Sequence, residues 1–370
     1  MKRRVQRSGG CRSMSKKYIE IHDKNSPETN NVLKKVIVPA MPEGDRAIKS
    51  FVLRKDEYFQ IDRRSLRKGT SINFSMYSQK GMAFDLLADA KTTVLLTDDL
   101  MARLSEDMTC EIVIRKSDIP LYSAYLDSLL TSGAETGKQD MEDRTMVLKE
   151  NSKMLMKDLL ADPRSGKKLK KAGKLVGDIT DTIIEEKGML YNMLTLSKHD
   201  YYTYTHCVNV AVLSIGLGVA IGLSRNRLDS LGIGAMLHDI GKTTIPPEIL
   251  NKQGKLDDYE FRRMQEHVRE GENILRDRNE FPEDAFEAVL QHHEKLSGKG
   301  YPNRLHGDKI SLYGRITGIA DCYDALTTQR PYKAAFSPYK ALSIIANEKE
   351  HYDFALFGDF VKMLGKIKLG

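Results

Sequence analysis

Several common signatures are missing from this chain, and each absence narrows what it can be. The four cysteines, Cys11, Cys110, Cys207 and Cys322, form no CxxC pair, so a thiolate zinc site is not expected. Scattered free thiols fit a reducing, cytoplasmic setting. No apolar run follows the basic N-terminus, so no secretory signal is expected. The longest uncharged stretch, Cys207 to Ser224, only reaches the lower edge of membrane-spanning length and contains Asn209 and two serines. It reads as a buried helix rather than a membrane span. Acidic residues are absent from residues 1–17, where Lys2, Arg3, Arg4, Arg7, Arg12, Lys16 and Lys17 gather. The other 51 basic residues match 51 acidic ones, so the net charge of +7 belongs to the tail. The near-neutral remainder gives no reason to expect a nucleic-acid polymer as partner.

With 41% hydrophobic residues among 370, the chain has enough apolar material for a sizeable core. We read a basic disordered tail (1–16), a small α+β domain (17–135), a linker (136–145) and an all-α C-terminal domain (146–370). Glu111 to Arg115 alternates polar and apolar residues with period two, and Thr92 to Leu96 is rich in β-branched residues, so both are expected to be strands. A helix is expected from Ser117 or Asp118, with Pro120 in its first turn, through Leu130. Thr131 to Gly137 is a polar stretch of Gly, Ser and Thr that reads as linker in composition and leads into 136–145. Beyond it, Leu148, Met154, Leu155 and Leu159 recur at helical spacing, and Pro163 and Gly166 end that helix. Loops are expected at 251–255 and 297–308. The small domain is expected to be either regulatory or a scaffold for pairing two chains.

The histidines are the most informative residues. Of nine, five lie between positions 206 and 293: His206, His238, His267, His292 and His293. Asp239 follows His238 directly, and Asp321 lies further on. Neutral imidazole is the commonest protein metal ligand, and carboxylates complete such sites. Seven side chains are too many for one tetrahedral ion and suit two ions. The expected division places His206, His238, Asp239 and Asp321 on one ion. Asp239, His267, His292 and His293 take the other, with Asp239 and a water shared. Mixed nitrogen and oxygen ligands at high coordination favour iron or manganese over structural zinc, and nickel or cobalt could also bind. A pair of ions at about 3.5–4 Å suits hydrolysis of a phosphoester. Lys242 comes three residues after Asp239 and can meet a phosphate oxygen as a point charge. A lone histidine is more often an ordinary core or surface residue, so His22, His199, His306 and His351 receive no role.

Leu-His-Asp-Ile-Gly-Lys (237–242), His292-His293-Glu294, Gly300-Tyr301-Pro302 and Ile-Ala-Asp-x-Tyr-Asp-Ala-Leu-x3-Arg-Pro-Tyr-Lys (319–333) resemble the HD-GYP family of the HD phosphohydrolase superfamily. The resemblance covers about residues 180–364. It implies an all-helical domain that binds metals, often iron, and hydrolyses cyclic di-GMP to the linear dinucleotide and on to GMP. It implies the same roles for the seven ligands, a contact from Lys242 to the scissile phosphate, and a grip on the substrate's phosphates by Arg330 and Lys333. It also implies that Gly300-Tyr301-Pro302 can dock signalling proteins. Some relatives carry a glutamate four residues before the first histidine, for a third metal. Tyr202 stands there in this chain, so two metals are expected. Lys295-Leu296 stands where the family often has Arg and an aromatic residue. A non-catalytic cyclic-dinucleotide sensor, and an enzyme for cyclic GMP-AMP, are the alternatives.

Overall fold

The computed structural model describes residues 17–21, 34–38, 57–81, 83–91, 93–136, 141–185, 190, 193–194, 203–276, 281–328 and 334–365. The chain forms two compact units, Met1–Tyr58 and Phe59–Gly370. In the first, β1 (Lys17–Ile21) pairs antiparallel with β2 (Lys34–Val38). The expected tail, residues 1–16, lies outside the described residues.

The second unit opens with short strands. β3 (Tyr58–Ile61), β5 (Met76–Lys80), β6 (Ala83–Ala88) and β8 (Glu111–Arg115) form one sheet in the order β3-β8-β5-β6, while β4 (Ser71–Ile72) pairs with β7 (Val94–Leu95). The strand read at 111–115 forms, but its burial does not alternate: Ile112, Val113 and Ile114 are all buried between an exposed Glu111 and an exposed Arg115, so both faces of its centre are covered. Helix α1 (Asp98–Glu106) is capped by Thr97, whose side chain accepts from the Leu100 amide.

Helix α2 (Ile119–Thr136) and helix α3 (Met141–Ala161) leave less room for a linker than the sequence suggested. The expected linker 136–145 overlaps the start of α3, and the Gly/Ser/Thr stretch stays helical through Thr136. The reason is local. The Thr131 hydroxyl donates to the Asp127 carbonyl at 3.0 Å, one turn back, so its polarity is absorbed inside the helix.

Helix α3 is buried on every side from Thr145 to Met156, although the run includes Lys149, Glu150, Asn151 and Lys153. Such a helix holds only if its polar groups find partners. The Glu150 carboxylate accepts from the Tyr122 hydroxyl at 3.2 Å and pairs with Lys153 at 2.9 Å.

Ten further helices follow among the described residues. They are α4 (Gly166–Glu185), α5 (Thr203–Ala220), α6 (Arg225–Leu237), α7 (Pro247–Leu250), α8 (Asp258–Gln265), α9 (His267–Arg276), α10 (Phe286–Gln291), α11 (Leu312–Thr327), α12 (Pro338–Asn347) and α13 (Phe354–Gly365). Past β8 the described residues contain no strand, only an isolated bridge between Ser297 and His306. The C-terminal part is thus all-α, beside a small strand-containing N-terminal part, as the sequence indicates. Helix α5 is its axis. It is the one described helix long and apolar enough to cross a membrane, and 83% of it is buried within the protein. Ile215 and Leu217 are wholly covered. Burying each such side chain stabilises by about 1.5–3 kcal/mol. Helices α3, α4, α6, α11 and α13 pack around it, which brings the ends of several helices to one place.

Candidate metal centre

The site is built where helices stop. His238 is the C-cap of α6, His292 is the C-cap of α10, and His267 follows directly on the C-cap of α8. The last carbonyls of a helix have no partner inside it. Each of these imidazoles uses one. The Nδ1–H of His238 donates to Ala235 at 2.7 Å, that of His267 to Met264 at 2.7 Å, and that of His292 to Val289 at 2.8 Å. A carbonyl only accepts, so Nδ1 carries the proton and Nε2 is left as a lone pair. All three Nε2 atoms then face the same buried point.

Asp239 occupies that point. Its backbone (φ −100°, ψ 7°) leaves α-helical values and opens a 3-10 turn, Ile240–Thr244. Adjacent helical residues would diverge by about 100°. The break lets His238 and Asp239 address one cluster. Asp239 Oδ1 lies 3.4 Å from His267 Nε2 and 4.0 Å from His292 Nε2. Its Oδ2 lies 3.3 Å from His238 Nε2 and 3.7 Å from His206 Nε2. Asp321, from α11, faces His206 Nε2 at 3.1 Å and His293 Nδ1 at 3.8 Å. All seven residues singled out as ligands are therefore brought together. They fall into two groups, Asp239 with His267, His292 and His293, and His206 with His238 and Asp321, with the atoms of each group within 4.8 Å of one another.

Two glycines let the elements approach this closely. A Cβ at Gly241 would stand 1.9 Å from the His267 carbonyl oxygen, and one at Gly318 would stand 2.8 Å from that of His292. What Gly241 makes room for is backbone.

The electrostatics call for positive charge. Burial opposes ionisation of Asp239, but His238 and Lys242 outweigh it and hold the carboxyl well below its usual range. Burial also disfavours a charged His206, yet hydrogen bonds to Asp321 and Asp324 raise its pKa to about 10. Burial pushes His267 down to about 4 and His293 down to about 3, so both are neutral donors at pH 7. Among the described residues, His238 Nε2 and Asp239 Oδ1 are buried with no hydrogen-bond partner. Each such orphan costs about 1–3 kcal/mol. Unpaired imidazole and carboxylate lone pairs around one point are what divalent cations take up, so the residues present fit the metal that their pattern implies. The centre is dry on one side and opens on the other, where the side chains of His293 and Asp321 are 24% and 16% exposed.

Lys242 closes the edge of the site. Its Nζ lies 2.5 Å from Asp239 Oδ2 across the 3-10 turn, with its side chain 25% exposed. Tyr301 covers His293, ring centroids 4.6 Å apart, so the Gly300-Tyr301-Pro302 loop belongs to the wall of the site. Arg330, Lys333 and Tyr202 lie outside the described residues.

One participant was not singled out from sequence. Asp324 is buried, accepts from His206 Nδ1 at 2.7 Å, and accepts from Asn209 Nδ2 at 2.8 Å. A carboxylate behind an imidazole fixes its orientation and raises its basicity. The signal was present: Asp324 follows Asp321 by three residues, one turn on the same helical face. Glu294 has a different task from its neighbours His292 and His293. Its two oxygens accept from the Asn303 amide at 2.7 Å and the Leu305 amide at 2.9 Å, which folds the following loop back onto the site.

A family model described as HD domain matches residues 188–356. The chain is 30% identical over 315 residues to a Pseudomonas aeruginosa protein named cyclic di-GMP phosphodiesterase PA4108, covering 82% of this chain and 73% of that one. It is 37% identical over 182 residues to a Vibrio cholerae protein named 3'3'-cGAMP-specific phosphodiesterase 2, covering 48% of this chain and 34% of that one. A solved structure of Bd1817, an HDG"Y"P protein from Bdellovibrio bacteriovorus, superposes with a TM-score of 0.63 at 18% identity, over 84% of this chain and all of that one. With these histidines and aspartates gathered at the helix ends, and with a likeness that runs over most of both chains in the Pseudomonas case, the protein belongs to the HD-GYP family of HD domain proteins.

Proposed function

We propose that this protein is a metal-dependent phosphodiesterase that hydrolyses cyclic di-GMP to the linear dinucleotide, GMP or both. The observation that carries the reading is the position of Asp239. Its two oxygens face different histidine groups, and Lys242 stands against it at the open edge.

In this reading His206, His238, Asp239 and Asp321 hold one divalent cation, and Asp239, His267, His292 and His293 hold a second. Iron is the first choice and manganese the next, given the mixed nitrogen and oxygen donors. When bound, such cations supply Lewis acidity toward a phosphate oxygen and lower the pKa of a coordinated water. The chain's own residues do the rest. The carbonyl-anchored imidazoles keep their geometry without reorganisation. Buried helix ends exclude bulk water from one side. Lys242 can turn its ammonium from Asp239 to an incoming phosphate oxygen, and Tyr301 walls the opening. Arg330 and Lys333 are assigned to the substrate's phosphates on the strength of their motif.

Relatives named for cyclic GMP-AMP hydrolysis match this chain as well, so that dinucleotide is the second substrate to test. A signalling partner at the Gly300-Tyr301-Pro302 loop, self-pairing of the chain and a cytoplasmic location belong to the same reading.

The test is to load the protein with iron or manganese, incubate it with each cyclic dinucleotide separately, and identify products by chromatography. Linear dinucleotide or GMP from cyclic di-GMP is expected. Tight binding of both cyclic dinucleotides with no product from either would overturn the reading.

A further inference from the structure

The side chains of the metal centre are anchored unevenly. His238, His267 and His292 are fixed by helix-end carbonyls, and His206 by Asp324. His293 and Asp321 form the open side, with Nδ1 and Oδ2 3.8 Å apart. They belong to different ligand groups. They also arrive on different segments, the loop after α10 and helix α11. Their spacing therefore depends on what ties those two segments together.

Residues 351–353, between α12 and α13, make that tie. The His351 carbonyl accepts from the Leu296 amide at 3.1 Å, and its Nδ1 lies 2.8 Å from Ser297 Oγ, so this residue holds the loop. Asp353 accepts from Arg315 of α11 at 2.8 Å, so it holds the helix. Tyr352, between them, does both. It is buried, with 7% exposure. Its hydroxyl accepts from Lys295 Nζ at 2.6 Å and meets the Cys322 thiol. An ammonium has no lone pair, so the hydroxyl keeps its own proton for the sulfur. Hydrogen bonds from a charged donor are the stronger kind, which makes Lys295 the firmer half of the joint. Lys295 lies two residues after His293, and Cys322 directly follows Asp321. One oxygen thus joins the two segments beside the two ligands that face each other across the opening.

We propose that Tyr352 is a positioning residue for the two-cation centre: its hydroxyl, held between Lys295 and Cys322, sets the distance between the loop of His293 and the turn of Asp321, and with it the fit of the second cation beside the first. The proposal rests on the metal-dependent phosphodiesterase reading and adds a part of the chain, outside the ligand motifs, that tunes the centre. Tyr352 acts through the segments it joins rather than on a cation. A site whose supports are loose by about 1 Å loses function even when every ligand is present.

The experiment uses the full chain, metal-free and loaded with manganese. Electron paramagnetic resonance during a manganese titration separates an exchange-coupled pair from single ions and gives the affinity for each. Tyr352→Phe keeps the buried ring and removes only the shared oxygen. It should weaken binding of the second manganese about tenfold. Single-ion signal then replaces coupled signal at a metal concentration that fills both positions in the wild type. The thermal midpoint of the metal-free variant should stay within about 4 °C of wild type, which separates positioning from loss of fold. Lys295→Met should change the spectrum in the same way. The double variant should lose at most about twofold more, because both changes cut one joint. An affinity for the second ion within about twofold of wild type in both single variants would overturn the proposal, and so would losses that multiply in the double variant. A larger fall in the metal-free midpoint, with both ions weakened alike, would overturn it too, since Tyr352 would then serve the fold alone. The two readings fail separately. The phosphodiesterase reading is judged by the products of the wild-type protein, and Tyr352 by the metal spectra of variant against wild type.

Discussion

His206 Nδ1 and Asp324 Oδ2 lie 2.7 Å apart, joining residues 118 positions distant in the chain. The contact decides which way the imidazole faces. Asp324 holds Nδ1, so Nε2 points at Asp321 and Asp239. Asn209 on the same helix donates to the other oxygen of Asp324 at 2.8 Å, which leaves the carboxylate no freedom to turn away.

Asp324→Asn should therefore weaken metal binding without removing a ligand. The amide is neutral, and it must present one oxygen to two donors that the carboxylate served separately. A loss of about 10–100-fold in metal affinity is expected, typical of partners behind a ligating histidine. Chelator competition measures it. An affinity equal to wild type would show that His206 is oriented by something else.

Asp239→Ala should remove both ions, because both histidine groups lose the oxygen between them. Metal analysis should fall from about two ions per chain toward none. A variant that keeps two ions would overturn the proposed division of ligands.

Gly241→Ala tests the packing that brings His267 to Asp239. The new methyl would collide with the His267 carbonyl and with the Gly271 amide, 2.5 Å away, both backbone atoms of α9 that cannot swing aside. The helix has to move and carry His267 with it. A stability loss of about 3 kcal/mol in denaturant unfolding is expected, with loss of metal. Gly173→Ala is the matched control. Nothing lies within 4 Å of its Cβ position on α4, so it should be neutral or stabilising by up to about 1 kcal/mol.

Much of this site was legible from residue types. Histidine and aspartate have few reasons to recur at buried helix ends other than metal, and Gly-Lys after His-Asp marked the edge of the centre. The supporting contacts were not legible. That Ala235, Met264 and Val289 orient imidazoles depends on where each helix stops, and helix ends are the least certain feature of a sequence reading. The boundary at 136–145 failed for a related reason: composition announced a linker, while Thr131 satisfied its hydroxyl within the helix. Burial of α3 on all sides was also hidden, because a helix bearing Lys149, Glu150 and Lys153 looks like a surface helix until its partners are known.

Lys242→Ala should separate metal binding from turnover. Its ammonium touches Asp239 but supplies no lone pair to a cation. Metal content should stay at wild-type level while kcat/KM falls by about 10²–10³-fold. Unchanged kcat/KM would show that Lys242 does not meet the reacting phosphate.

Lys149 makes a prediction about pH. Its ammonium is buried in α3 and donates to the Met193 carbonyl. Burial lowers its pKa to about 7, while Asp324 and Asp62 pull weakly the other way. In the unfolded chain the amine titrates near 10.4. Between about 7 and 10.4 the unfolded state therefore holds a proton that the folded state has lost, and stability rises with pH across that window. Below it both states are protonated and the full cost of burying the charge is present. Lys149→Met removes this titration. The stability difference between variant and wild type should shift in favour of wild type as pH rises from about 7 to 10, by up to about 1.4 kcal/mol per pH unit. Loss of the Met193 hydrogen bond adds an offset independent of pH, so the slope carries the test. Denaturant unfolding of both proteins with chelator present, at several pH values in this window, reads it. A difference that stays flat would mean that Lys149 remains protonated in the folded protein.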